Sequence, residues 1–270
     1  MITAAVAKYF VPTTIGAALR ALSLDLAAGH YLREPHESGM FQKMLRDSTI
    51  AVIGHASSLI NLYSIGQQLL TCAEQRNRRR TAHPERPDQR VELTCALRRE
   101  LPAFDPTQIA TSARGQDDLL AGFIALATDN DLLRGAADRR TAEFLVALIG
   151  ALRAAIDEHD QLVLDAAAKR GAHFVASPAC FLLAKRFCAL FAAASCILVW
   201  HYNRETLGGL FADSEWLALA LHRLLAPLGV ALPAPPPAIT TGVMHALLTL
   251  YREHKSFALA PLRLAGEFSS

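Results

Sequence analysis

The chain has 270 residues, of which 52% are hydrophobic and 19% charged, with a mean hydropathy of +0.22. A chain this apolar can bury a substantial core, which excludes it from the low-hydropathy, highly charged class that stays disordered. Its 27 Lys and Arg against 25 Asp and Glu leave a formal charge of +2, so no global field draws it to nucleic acid or to an acidic membrane surface.

The first predicted element covers residues 2–28, where Ile15, Leu19, Leu22 and Leu26 follow at spacings of four, three and four and form one stripe of an amphipathic helix. Pro12 falls in its first turns or kinks it. Gly29, Pro35 and Gly39 mark a connection, residues 40–45 resume helical character, and a second break falls at Gly54-His55-Ala56. Ser57 or Ser58 then caps a helix with Ile60, Tyr63 and Leu70 near one face.

Residues 74–90 are polar and broken by Pro84 and Pro87, which predicts a boundary: a first helical part at 1–75, a linker at 76–100 and a second helical part at 101–270. Within the linker, Arg78, Arg79 and Arg80 have acidic neighbours and no interleaved aromatics, the pattern of a solvated loop rather than an anion site. Beyond it, residues 117–133, 141–163, 178–200, 214–228 and 239–255 are predicted helices. Ser177 before Pro178 is an N-cap followed by proline at the first helical position. The Pro-rich residues 232–237 form an extended connection. With no strand-length alternation and no repeat, the predicted fold class is all-α, built from helical bundles.

Cys72, Cys95, Cys180, Cys188 and Cys196 sit in apolar stretches without a C-x-x-C pair, which suits a reduced, cytoplasmic chain rather than a disulfide framework or a zinc site. The N-terminus lacks the basic start and long apolar core of a secretory signal. The most apolar run, residues 187–200, is short of the roughly 20 residues a membrane span needs and is expected to be a buried helix. His30, the His36-Glu37 pair and Asp157-Glu158-His159-Asp160 are the histidine-rich places. Adjacent residues diverge on a helix, so these read as surface residues and no metal site is expected. Gly-rich phosphate loops, the dinucleotide fingerprint and the serine-hydrolase elbow are missing, so any cofactor must be held in another way. The residues Phe181, Lys185, Cys188, Phe191, Ala192 and Ser195 recur near helical spacing, and small residues at 192–195 would let another helix approach closely.

Three short motifs stand in order in the first part. Ala7-Lys8-Tyr9-Phe10-Val11-Pro12 lies in the first helix, Leu26-Ala27-Ala28-Gly29-His30 forms a small-residue turn, and Lys43-Met44-Leu45-Arg46-Asp47 leads on to Gly54-His55-Ala56-Ser57-Ser58. The ordered set resembles the last part of the acyl-CoA dehydrogenase family, over roughly residues 4–72, about a quarter of the chain. In that family an Ala-Lys helix leads to a small-residue turn and an Arg-Asp pair, after which an aromatic, a carboxylate, a glycine and a hydroxyl residue precede the final helix.

The resemblance implies that Ala27, Ala28 and Gly29 approach the flavin of a neighbouring subunit, where small residues let the backbone come close to a pyrophosphate. It implies further that Ser57 and Ser58 stand near the flavin, and that Arg46-Asp47 either contacts substrate or braces the connection as an ion pair. His55 stands where many members carry the carboxylate that removes the α-proton, with Gly54 in place of the aromatic and Ala56 in place of the glycine. A neutral imidazole is a competent base near pH 7. The alternative is that His55 fills space in a loop released from the original chemistry.

Relative to the family, the N-terminal helical and β-domains are missing, and with them most of the flavin site. The resemblance therefore implies one subunit of a hetero-oligomer that shares FAD with a separately encoded acyl-CoA dehydrogenase-like partner and desaturates an acyl thioester of coenzyme A or of a carrier protein. It equally admits a non-catalytic, degenerate scaffold or stabilising subunit. Residues 101–270 are similar, in architecture alone, to the extra C-terminal helical domain of larger family members.

Overall fold

The computed structural model describes residues 2–31, 36–51, 57–81, 89–101, 103, 105–108, 118–127, 132 and 139–264, without the side chains of 36–38, 79–81, 89, 108 and 118. Among these residues there is no strand, and the fold is all-α. The helices are α1 (Ile2–Asp25), α2 (His36–Ala51), α3 (Ser58–Thr81), α4 (Gln89–Cys95), α5 (Asp118–Leu126), α6 (Arg139–Arg170), α7 (Pro178–Leu207), α8 (Gly209–Ala212), α9 (Glu215–Leu225) and α10 (Pro237–Arg252). The stretch read from sequence as a linker carries the end of α3 and all of α4.

The chain divides into two compact units. The first takes the described residues within Met1–Gln75 and Asp160–Cys188. In it α1 packs on α2, and a 3₁₀ turn at Ala27–Tyr31 packs on both. Helix α1 runs through Pro12 and buries only Ile2, Ala5, Val6 and Gly16. Most of the stripe expected from its periodicity faces outward: Ile15 is 51% exposed, Leu22 50% and Leu26, just past the helix, 46%, while Leu19 is half-buried.

Helix α3 buries Leu62, Ile65, Leu69, Cys72 and Ala73, whereas Ile60 and Tyr63 are exposed. The face expected from Ile60, Tyr63 and Leu70 thus gives way to a more continuous apolar stripe, at spacings of three and four. On that stripe Gly66 lets α7 come close, since a Cβ there would lie 2.7 Å from Cys180 Sγ.

The second unit takes the described residues within Arg76–Ile109, Asp117–His159 and Ala189–Ser270. Here α4 packs on α5 and α9 on α10. The α4–α5 approach uses Gly122, where a Cβ would meet Val91 at 2.8 Å. Helix α9 buries Leu217, Ala218, Leu221 and Leu225, one stripe at helical spacing. Trp200 of α7 is fully buried, and its indole N–H donates to Ala212 O at 3.2 Å, so the polar edge of the ring is not left unpaired.

Four expectations about boundaries and burial change. Helix α7 runs on to Leu207, because the polar residues after Trp200 are bonded within the fold. Buried Asn203 donates to Cys95 O and Val199 O and accepts from Leu97 N, each at 2.7 Å. Helix α10 begins at Pro237, whose fixed φ suits a first helical position. His159 and Asp160 are buried rather than on the surface: they lie three or four residues from Ile156 and Val163, within the buried stripe of α6.

The fourth change concerns length. Helices α1 and α7, at 24 and 30 residues with mean hydropathies of 1.3 and 1.9 over their most apolar windows, are both long and apolar enough to cross a membrane. The short span that spoke against α7 is therefore only the centre of a longer helix. What distinguishes the two helices is burial, 22% of that window in α1 and 50% in α7.

Candidate functional site

The small-residue turn after α1 is held by backbone bonds. Leu26 N donates to Leu22 O at 3.0 Å and Gly29 N to Leu26 O at 2.9 Å, and the His30 ring bonds Ala27 O through Nδ1. Ala27 turns the chain with a φ of +46°. Ala27 and Ala28 are exposed, and no atom lies within 4 Å of where a Cβ on Gly29 would stand. The His30 and Tyr31 rings lie beside each other, centroids 3.7 Å apart.

Arg46 and Asp47 lie near the end of α2 and are both exposed. The partner of Asp47 is Lys43, one turn earlier on the same helix, so the carboxylate does not pair with Arg46. Such an exposed i,i+4 pair contributes about 0–1 kcal/mol. Ser57 is the N-cap of α3: its Oγ accepts from Ile60 N at 3.4 Å, and Asn61 N donates to Ser57 O at 3.2 Å. Gly54, His55 and Ala56, which carry the base position of the resemblance, lie outside the described residues.

Ser58, the first residue of α3, opens onto a groove of about 660 Å³ in the first unit. From α1 the groove takes Tyr9, Pro12, Thr13, Gly16 and Arg20, which recur at spacings of one to four along a single face. Ser48 and Thr49 come from the last turn of α2, Leu59 and Leu62 from α3 beside Ser58, and Phe181 and Lys185 from α7. The structure thus brings Ser58 into a pocket that none of Ala27, Ala28, Gly29, Arg46, Asp47 or Ser57 lines.

The groove is rich in donors. Ser48 and Thr49 turn their hydroxyls to Leu45 O and Arg46 O at 2.8 and 2.6 Å, and Thr13 turns its own to Tyr9 O at 2.6 Å. Tyr9 OH and Ser58 Oγ have no hydrogen-bond partner among the described residues, and Arg20 and Lys185 have no carboxylate partner there. Burial, and after it the neighbouring Cys188, push the Tyr9 phenol above its usual range, so it remains a donor at neutral pH. Gly16 leaves room for the Arg20 guanidinium to fold back on the helix, 3.5 Å from where a Cβ at Gly16 would be. Among the described residues no acidic side chain lines the groove. The signal that could have found it was the row Tyr9, Thr13, Gly16 and Arg20, a polar face on an apolar helix.

Other chemistry is muted. None of the five cysteines is in a disulfide, and burial pushes Cys188 up to about 12 and Cys95 and Cys196 up to about 11, so these three stay protonated at neutral pH. Among the described residues no three His, Cys, Asp or Glu side chains converge as a metal site. In the second unit Arg204 lies 4.5 Å from the centroid of the Trp200 ring and donates to Leu132 O at 2.8 Å, which ties it to the fold. Comparison with family models, with curated proteins and with solved structures finds no match to this chain.

Proposed function

We propose that the chain is the C-terminal helical subunit of a heteromeric FAD-dependent dehydrogenase that introduces an α,β double bond into an acyl thioester. The observation that carries the reading is the order of motifs along α1–α3: the small-residue turn, Arg46-Asp47, the His55 segment and the Ser57-Ser58 start of α3. The outward apolar stripe of α1 supports it, because a helix with Ile15, Leu22 and Leu26 half exposed suits coverage by a partner subunit.

Fit to the flavin is favourable on one side only. Open space at Gly29 and exposed Ala27 and Ala28 leave the backbone approachable, and Ser58 offers a hydroxyl with no partner among the described residues; Ser57 is committed to capping α3. The partner would supply the remaining walls. FAD, when bound, supplies the acceptor for the hydride leaving the β-carbon. In this reading Ala27, Ala28 and Gly29 admit the cofactor, Ser58 donates to it, and His55 takes the α-proton as a neutral imidazole.

Co-purification with an acyl-CoA dehydrogenase-like product encoded beside it is the test. A yellow complex absorbing near about 370 and 450 nm, as oxidised flavin does, and bleached anaerobically by an acyl thioester, is the expected result. With His55→Ala the complex should still be yellow but no longer bleach. A colourless chain with no such partner overturns the reading. Unchanged bleaching with His55→Ala moves the chain to the second reading, a degenerate scaffold subunit, which the replacement of three consecutive positions by Gly54, His55 and Ala56 favours.

A further inference from the structure

We infer that the groove lined by α1, α3 and α7 in the first unit is a binding site for an anionic amphiphile, an alkyl or aryl body ending in a carboxylate or phosphate. The inference shares Ser58 with the dehydrogenase reading and takes nothing else from it, since no flavin, thioester or partner subunit enters it. It rests on the juxtaposition of four donors with an apolar floor in a cavity of suitable size.

The size comes first. At about 660 Å³ the groove falls within the roughly 300–1,000 Å³ of small-molecule sites. Its floor includes Leu62, which is buried, and half-buried Pro12 and Phe181, and such surface prefers an apolar body to water. A purely apolar ligand would leave the polar groups unused. Among the described residues, Arg20 and Lys185 bring two positive charges with no carboxylate to neutralise them, and Tyr9 and Ser58 bring two hydroxyls with no partner. Arg is suited to carboxylate or phosphate by its planar fork of N–H groups.

The two helix ends at the groove oppose each other in sign, so the side chains decide the charge. Helix α3 starts at Ser58, and its first two residues, Ser58 and Leu59, line the groove, so the positive end of this 24-residue helix lies beside it. The end of α2 contributes Ser48 and Thr49, whose hydroxyls are already committed to Leu45 O and Arg46 O within their own helix, and its dipole there is negative. A cationic ligand would meet two like charges and, among the described residues, no acceptor carboxylate. A neutral one would gain only the floor.

Calorimetric titration of the full chain at pH 7 tests this with dodecanoate, dodecyl phosphate and dodecyltrimethylammonium, each below its micelle-forming concentration. The expected result is one equivalent of either anion bound, with the cation at least about ten-fold weaker. The tighter of the two anions identifies the head group. Arg20→Ala with Lys185→Gln should weaken both anions about ten-fold or more, as loss of charge-assisted bonds does. Thr13→Trp, at an exposed helix position that leaves both cations in place, should weaken them by filling the groove. Failure of both anions to bind overturns the inference, as does equal affinity for the cation, which needs no variant to measure. Binding unchanged in both variants, with native helical content by circular dichroism, overturns it too.

Discussion

Helices α1 and α7 have similar length and apolarity and opposite fates. In α7, Phe187, Leu190, Ile197 and Trp200 are fully buried, and Ala193 and Ala194 among them leave room for close packing. In α1 the buried residues Ile2, Ala5 and Val6 share one face with Tyr9, Thr13, Gly16 and Arg20, while Val11, Ile15 and Leu22 lie on the opposite face, at least 50% exposed. The second half of α1 therefore turns its polar side toward the groove and its apolar side to the surroundings. Hydropathy sets how much a helix has to bury, whereas the neighbours decide which side is buried.

The sharpest way to break this comparison is a matched pair of truncations. Trp200→Ala should cost about 3–5 kcal/mol, and Leu22→Ala, at a side chain 50% exposed on the outward side of α1, about 1 kcal/mol or less, both read from urea unfolding. Similar losses in the two would mean that α1 is covered in the folded chain.

Alkaline pH gives the next largest effect. The buried α7 thiols Cys188 and Cys196 have folded-state values near 12 and 11, above the ordinary value of 9.0. Below about pH 9 both states hold the proton and nothing is lost; above it the unfolded chain releases protons first, so stability falls as pH rises. At pH 10 the loss is roughly 1 kcal/mol for each thiol. Comparing unfolding of the native chain and of Cys188→Ala at pH 8 and pH 10 checks it, the variant showing the smaller fall.

A smaller effect comes from the contact of α3 with α7. Gly66→Ala should gain about 1 kcal/mol of helix propensity but lose more by pressing on Cys180, for a net loss of about 1 kcal/mol. Gly150→Ala, in the middle of α6 with open space around it, should instead stabilise by up to about 1 kcal/mol. Thermal melts of the two variants should move in opposite directions.

Much of the helical layout was legible because its signals are local. The Ser177 cap is formed as read, with Cys180 N donating to Ser177 Oγ at 3.2 Å, and the Ser57 cap likewise. Burial was less legible. His159 and Asp160 look like surface residues beside Asp157 and Glu158, yet they complete a stripe with Ile156 and Val163 that only packing reveals. The end of α7 was hidden for the same reason, since Asn203 continues the helix by bonding residues about a hundred positions away in sequence. Within the candidate site, Ser58 was legible from the motif order, but Arg20 and Lys185 were not, because their meeting depends on how α1 and α7 pack.

The turn at Ala27 has one more consequence. A non-glycine residue at a φ of +46° carries steric strain that glycine avoids, so this position holds back stability the fold could otherwise have. Ala27→Gly should raise the melting midpoint by an amount equivalent to about 0.5–1 kcal/mol, after allowing for the greater freedom of glycine in the unfolded chain. His254, with a φ of +50° just beyond α10, is a matched second case. Both helix ends are therefore strained joints, and relaxing them offers a stronger protein without touching its core.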